Sequence, residues 1–276
     1  WSAQRSWAKR AFSGKNFAIV APTGMGKSVF GAILSLYFAL KGKKCYIIVP
    51  TAILAEQTYR RIEEFLEKIG AAIKISRYHS MLSNREREIE QETISNKEYN
   101  ILITTSAFLS KNFEMLNGST FDLVIVDDVD ALLKSSKNVD KVLYLAGFSK
   151  DAITQCLKLI ELKREYSKLL KRGEDVSFLE KEIEEVKKFL EDSVKVSKIG
   201  NIIVSGASPR GKRTKRIKLF RELMGFEIGS RIEFVRNIED LYIPDVDDIE
   251  EKVIELGEVV GSGGIIFVPM DRGLEF

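Results

Sequence analysis

The sequence predicts an α/β fold in which a parallel sheet is covered by helices on both faces, and three observations predict it. Six short runs rich in Ile and Val, at 17–20, 45–49, 73–76, 101–104, 123–126 and 202–204, are bounded by polar or turn residues, as buried strands are. Helix-like segments, including 29–40, 51–69 and 83–95, alternate with them. A glycine-containing loop joins the first run to the first of these helices. Alternating strand and helix is the pattern of a parallel sheet, whose ligands gather at the carboxyl ends of the strands. Four polar or glycine-containing sequences stand at those ends: 21–28, Pro50-Thr51, Thr104-Thr105-Ser106 and Asp127-Asp128-Val129-Asp130.

The loop reads Ala21-Pro22-Thr23-Gly24-Met25-Gly26-Lys27-Ser28. Its glycines let backbone N–H groups curl round a polyphosphate, Lys27 brings a point charge to the β and γ oxygens, and Ser28 offers a hydroxyl to magnesium. Ala21 stands where the commonest form of the motif has its first glycine. A turn that merely joins strand to helix is the simpler alternative, opposed by the strand-loop-helix context. The run ending in Asp127-Asp128 is the second informative element. Consecutive carboxylates at the tip of an apolar strand are costly unless they meet a cation or water. Beside a phosphate loop, Asp127 is expected to hold magnesium, and Asp128 to orient and deprotonate the attacking water. Either could instead cap a helix start.

The 276 residues, 45% hydrophobic and 30% charged, suit one large or two modest folded domains. A formal net charge of +3 is close to balance, so any nucleic-acid binding must come from local placement of Lys and Arg. Cys45 and Cys156 lie far apart and suggest neither a disulfide framework nor a zinc site. With no secretory signal and no apolar run of membrane-spanning length, a cytoplasmic location and no membrane partner are expected. His79, the only histidine, reads as a packing or surface residue. A start at Trp1 and an end at Phe276 are what a piece of a longer polypeptide would show.

In order, the phosphate loop, Pro50-Thr51, Thr104-Thr105, Asp127 to Asp130 and Ser205-Gly206-Ala207-Ser208 resemble the motor core of superfamily 2 helicases related to the DEAD-box group. The phosphate loop, the Asp-Asp-Val-Asp box and the residues running on to Phe148 resemble, more narrowly, the reverse gyrase family. That family couples such a motor to a type IA topoisomerase and introduces positive supercoils in thermophiles. The resemblance implies a RecA-like P-loop NTPase fold, ATP and Mg2+, DNA as partner, a topoisomerase module in the same parent chain, and strand separation driven by ATP. It implies that Gln4 reads the adenine edge, with Trp1 or Trp7 stacking beside it, and that Pro22, Thr23, Gly24, Met25, Gly26, Lys27 and Ser28 hold the phosphates. Thr51, Thr104 and Thr105 would touch a nucleic-acid backbone, although each could equally be a helix N-cap. Ser205 and Asp130 would pair to link nucleotide state to strand binding.

Two departures bear on activity: the usual Ser-Ala-Thr is replaced at Ser205-Gly206-Ala207, and Asp128 stands where DEAD-box enzymes carry Glu, one methylene nearer the backbone. Residues 1–240 would form the first RecA-like domain and 241–276 a linker with the truncated start of the second. In the family the arginine that completes the ATP site comes from later motifs, so these residues alone are expected to bind nucleotide and hydrolyse it slowly. An RNA helicase of the same superfamily and a non-catalytic, nucleotide-gated DNA-binding adaptor stay open as alternatives.

Between the acidic box and Ser205 lie about 75 residues, more than a plain crossover needs. Ile153, Leu157, Ile160, Leu162, Tyr166 and Leu169, and then Leu179, Ile183, Val186, Leu190 and Val194, step by three and four through Lys and Glu. They predict two antiparallel amphipathic helices inserted over about 149–198, turning at Arg172-Gly173-Glu174-Asp175. A hairpin packed on the core with a solvated outer face is the simpler reading, and a DNA-contacting or domain-coupling arm the sharper one. The basic run from Arg210 to Arg216 suits sequence-blind phosphate contact, or else is solvated surface charge, and leads into a helix predicted over 215–224. Beyond Asp240, a linker at 243–248, a helix at 249–260 and a strand at 263–268 are expected.

Overall fold

In the computed structural model, which describes residues 2–206 and 215–228, the described residues contain one sheet of six strands. They are β1 (Phe17–Val20), β2 (Cys45–Val49), β3 (Ile75–Tyr78), β4 (Ile101–Thr105), β5 (Leu123–Asp127) and β6 (Asn201–Gly206). Every pairing is parallel, and the spatial order is β1-β6-β5-β2-β4-β3. Because side chains alternate across a sheet, each central strand feeds two apolar layers. Tyr46, Ile48, Leu102, Val124, Val126, Ile202 and Val204 face one layer. Cys45, Ile47, Val49, Ile101, Ile103, Leu123, Ile125 and Ile203 face the other.

The second layer is closed by α1 (Ser2–Phe12), α2 (Lys27–Leu40) and α3 (Ala52–Ile69), through residues such as Trp7, Leu34 and Ile62. The first is closed by α4 (Asn84–Ser95), α5 (Ser106–Lys111), the short α6 (Val129–Leu132), α7 (Lys137–Leu145), α8 (Lys150–Leu170), α9 (Ser177–Val196) and α10 (Lys218–Met224). Helices on both faces of one parallel sheet form the RecA-like α/β arrangement expected from the alternation. The third strand lies two residues later than expected. Hydrogen bonds from Asn100 N to Lys74 O at 2.8 Å and from Lys74 N to Asn100 Oδ1 at 3.0 Å tie the residue before β3 to the residue before β4, and pairing begins at Ile75, level with Ile101. Arg77 is tolerated in this edge strand because its guanidinium meets Glu56 at 2.8 Å and stacks 3.9 Å above the Tyr59 ring.

The inserted segment is the hairpin expected. Ser149 caps α8 by accepting from Ala152 N at 3.0 Å, and Ile153, Cys156, Leu159 and Ile160 of α8 are buried with Leu179, Ile183, Val186 and Leu190 of α9. These residues continue the first apolar layer, so the pair extends the core rather than standing off it. Val194, by contrast, is exposed. At the base of the hairpin Gly147 has φ +109°, and a Cβ there would lie 2.6 Å from the Lys198 carbonyl oxygen, so only glycine fits. The helix expected over 215–224 begins as a 3-10 turn at Lys215–Ile217. Burial pushes the free thiols of Cys45 and Cys156 up to about 12, in keeping with inert core residues. The expected domain start at 241–276 lies outside the described residues. Among the described residues no helix is long and apolar enough to cross a membrane.

Candidate nucleotide site

Strand register gathers the polar sequences along one edge of the sheet. Val20 pairs with Gly206, Ser205 with Asp127, and Ile48 with both Val126 and Thr104, so their strands end together. β6 sits between β1 and β5. The loop after β1 and the carboxylates after β5 therefore flank Ser205 across two strand spacings, about 10 Å in all. Lys27, Ser28, Asp127 and Ser205 line one small cleft of about 10 Å³ there, whose floor is the apolar Ile19, Ile47, Val49, Ile125 and Ile203, together with the buried Thr58 of α3, a residue for which the sequence held no signal.

Gly24 and Gly26 both take φ +80°, which turns the chain tightly enough to start α2 at Lys27, two residues earlier than expected. Gly26 occupies the N-cap without a side-chain cap bond, so the positive end of this 14-residue helix opens on the loop. Lys27 Nζ donates to Ala21 O at 2.7 Å and Pro22 O at 2.9 Å, holding the loop closed on its own ammonium. Burial pushes the Lys27 ammonium below the usual lysine range, against the charges of Asp127 and Asp128, which pull it up. Both carboxylates are therefore close enough to act on the Lys27 charge. Gln4 packs on the loop from α1: its Nε2 donates to Met25 O at 2.7 Å, while its Oε1 is buried without a partner. Trp7 does not stand beside it as a stacking surface. Its ring is fully buried and meets Phe30 edge-on at 5.5 Å, so it belongs to the core; Trp1 lies outside the described residues.

At the tip of β5, Asp127 Oδ1 accepts from Ser205 Oγ at 2.8 Å, and Asp128 N donates to Ser205 O at 3.1 Å. The expected pairing of Ser205 with Asp130 is thus replaced by one with Asp127, because the register sets Ser205 opposite Asp127 and Asp130 lies beyond, in the first turn of α6. Asp128 takes φ +87° and ψ +93°, an unfavourable backbone for a residue with a Cβ, and its Oδ1 accepts from Asp130 N at 3.0 Å. It therefore caps α6, as the alternative reading held, while its strained turn directs the chain across the strand ends.

The three threonines separate. Thr51 is exposed and caps α3, accepting from Leu54 N at 3.3 Å. Thr105 caps α5 through Phe108 N at 3.1 Å and is nearly buried. Thr104 is fully buried, its hydroxyl bonded to Tyr46 Oη at 2.6 Å, so its side chain cannot meet a nucleic-acid backbone. The alternation of side chains turns it into the apolar layer. Of the basic run, residues 210–214, like Ala207 and Ser208, lie outside the described residues, and the remaining two are already engaged. Lys215 meets Glu161 at 3.1 Å and Arg216 meets Asp140 at 3.1 Å. His79 is buried with Nε2 3.2 Å from Glu56 Oε2, a packing residue inside an ionic cluster with Arg77.

The family model for the DEAD/DEAH box helicases matches residues 1–157. The chain is 48% identical to a reverse gyrase of Pyrococcus horikoshii over 281 residues, 45% to one of Thermococcus kodakarensis over 282, and 46% to one of Pyrococcus furiosus over 280. Each similarity covers 100% of this chain but only 17%, 16% and 23% of those proteins. A loop, a carboxylate tip and a serine brought to one sheet edge, within a sequence matched in this way, place the chain in the DEAD/DEAH box helicase family, as a helicase-like domain similar to that of reverse gyrases.

Proposed function

We propose that this chain is the ATP-binding part of a helicase-like motor that acts on DNA and, in its parent protein, couples ATP binding and hydrolysis to strand separation for a type IA topoisomerase module. The observation that carries the reading is the convergence of Lys27, Ser28, Asp127 and Ser205 on one cleft beside an open helix N-terminus. The phosphates of ATP would take over the contacts that Lys27 now makes with Ala21 and Pro22, receiving its charge together with the first N–H groups of α2. The half-satisfied amide of Gln4, one end on the loop and one end orphaned, offers an acceptor for an adenine amino group. Magnesium, when bound, would neutralise phosphate charge, with Ser28 and Asp127 as its protein ligands; one hydroxyl and one carboxylate suit an ion that keeps most of its water and phosphate ligands. Asp128 would position and deprotonate the attacking water. Ser205, hydrogen-bonded to Asp127, would pass the state of the nucleotide along β6 to the segment that follows. Thr51, and the backbone at Thr105, would contact the DNA backbone from the same edge.

Binding of a fluorescent ATP analogue tests this directly. Lys27→Ala is expected to lower affinity about 10- to 100-fold, the worth of charge-assisted hydrogen bonds. Unchanged affinity would remove the motor assignment. Asp128→Asn, assayed in the two-domain parent motor, separates catalysis from capping, because Asn caps a helix as well as Asp. We expect DNA-stimulated hydrolysis to fall by about 10²- to 10⁴-fold with ATP binding retained. A full rate would assign that carboxylate to capping alone and favour a nucleotide-gated adaptor.

A further inference from the structure

A groove of about 650 Å³ lies between α8 and α10, and no residue lining it lines the nucleotide cleft. Lys163, Arg164 and Lys168 of α8, Lys171 at its C-cap, and Lys218 and Arg221 of α10 line it, against a single carboxylate, Glu222. This concentration stands in a chain whose formal net charge is only +3. Two of the six cations are engaged: Lys163 meets Glu222 at 2.5 Å and Arg221 meets Glu227 at 2.8 Å. Arg164, Lys168, Lys171 and Lys218 are exposed and have no acidic partner among the described residues. Like charges held this close repel one another until a polyanion neutralises them.

Spacing identifies the polyanion. Arg164, Lys168 and Lys171 follow one another at four and three residues, so they form one stripe along α8. At 1.5 Å per residue the stripe is about 10 Å long, the axial span of about three phosphates of one DNA strand. Lys218 faces the groove from the second wall. A compact anion would satisfy one or two of these groups, whereas a phosphodiester backbone running along the groove meets all four. Tyr166, the aromatic residue of the lining, has its hydroxyl committed to Glu180 at 3.0 Å, leaving the groove to charge rather than to base recognition. We infer that the groove between α8 and α10 is a DNA-backbone contact on the helical insertion, separate from the strand-end contacts, and that it reads charge and not sequence. The inference rests on the proposed reading that DNA is the motor's track.

The test measures anisotropy of a labelled mixed-sequence duplex with the complete chain across a salt series. The variant carries Arg164→Gln, Lys168→Gln, Lys171→Gln and Lys218→Gln, all at exposed positions, and is compared with one in which the three lysines become arginine. Neutralisation is expected to lessen the slope of log K against log salt by about 3.6 and to lower affinity more than about tenfold, because each of the four lost phosphate contacts removes about 0.9 from the slope. The arginine variant keeps slope and affinity, and the fluorescent ATP analogue binds all three proteins equally. If the quadruple variant does not fold, the pairs Arg164→Gln/Lys168→Gln and Lys171→Gln/Lys218→Gln should each lessen the slope by about 2. An unchanged slope in folded protein overturns the inference and leaves the nucleotide reading standing. Loss of association with the topoisomerase module, with DNA affinity intact, would make the groove a protein-docking surface and overturn it as well. A wild-type chain without duplex affinity would instead remove the DNA reading on which it rests.

Discussion

Asp128 carries two opposed demands on one residue. Its side chain caps α6, worth about 1 kcal/mol, while its backbone sits at a positive φ that costs a residue with a Cβ about 1–3 kcal/mol. Asp128→Gly should therefore be more stable than Asp128→Ala by about 1–2 kcal/mol in urea unfolding, since both lose the cap and only glycine escapes the strain. Equal stabilities would show that the turn is unstrained. His79 gives a second residue-scale prediction. Burial holds its imidazole below the usual histidine range, although Glu56 pulls it up, so the folded chain takes up a proton less readily than the unfolded one. A depressed pKa of this kind stabilises the fold above the ordinary histidine value near 6.5 and is lost as pH falls through that value toward the folded one. It is the only histidine in the chain, the side-chain type whose ordinary pKa falls in this window. The urea midpoint of the wild type should drop more between pH 7.5 and 5.5 than that of His79→Gln. Parallel curves would exclude the linkage.

Among the elements, the α8/α9 pair is the part of the sequence whose structure was legible and whose chemistry was not. Apolar residues at three- and four-residue steps specified two antiparallel helices, and of the expected stripe Ile153, Ile160 and Leu162 of α8 and Leu179, Ile183, Val186 and Leu190 of α9 are buried. The pairing of α8 with α10 could not be read, since Lys218 reaches the groove only after the chain has passed through α9 and β6. Because Leu159 is nearly buried in the layer shared with the sheet, Leu159→Ala should cost about 2–5 kcal/mol, far more than the same truncation of a hairpin standing off the core. A loss below about 0.5 kcal/mol would mean that the pair is an independent arm. Gly147→Ala should be comparably severe, because the Lys198 carbonyl occupies the place of the new methyl group and the φ of +109° disfavours any Cβ.

For the whole molecule, strand order gives a sequence-distant serine its place between the phosphate loop and the carboxylates. Inserting β6 between β1 and β5 sets Ser205 against Asp127, so a ligand bridging Lys27 and Asp127 would tie three strands together. Saturating ATP with Mg2+, at about 100 times its dissociation constant, should stabilise the wild type by about 2.7 kcal/mol and Lys27→Ala, with its roughly 10- to 100-fold weaker binding, by only about 0.4–1.4 kcal/mol. An equal thermal shift in both proteins would place the nucleotide elsewhere.

The sequence by itself determined the α/β class, the phosphate loop, the acidic strand tip and the helical insertion, because each is written in local periodicity or in residues a few positions apart. It also left Thr104, Thr105 and Thr51 looking alike, since a hydroxyl at a strand end carries no mark of the face it takes. Only the tertiary structure decided that Thr104 is bonded to Tyr46 inside the core, that Trp7 is packed against Phe30, and that Ser205 meets Asp127 rather than Asp130. The physical reason is the same in each case: these contacts depend on which strands lie side by side and in what register, and parallel neighbours are joined through crossovers too long for local pattern to fix.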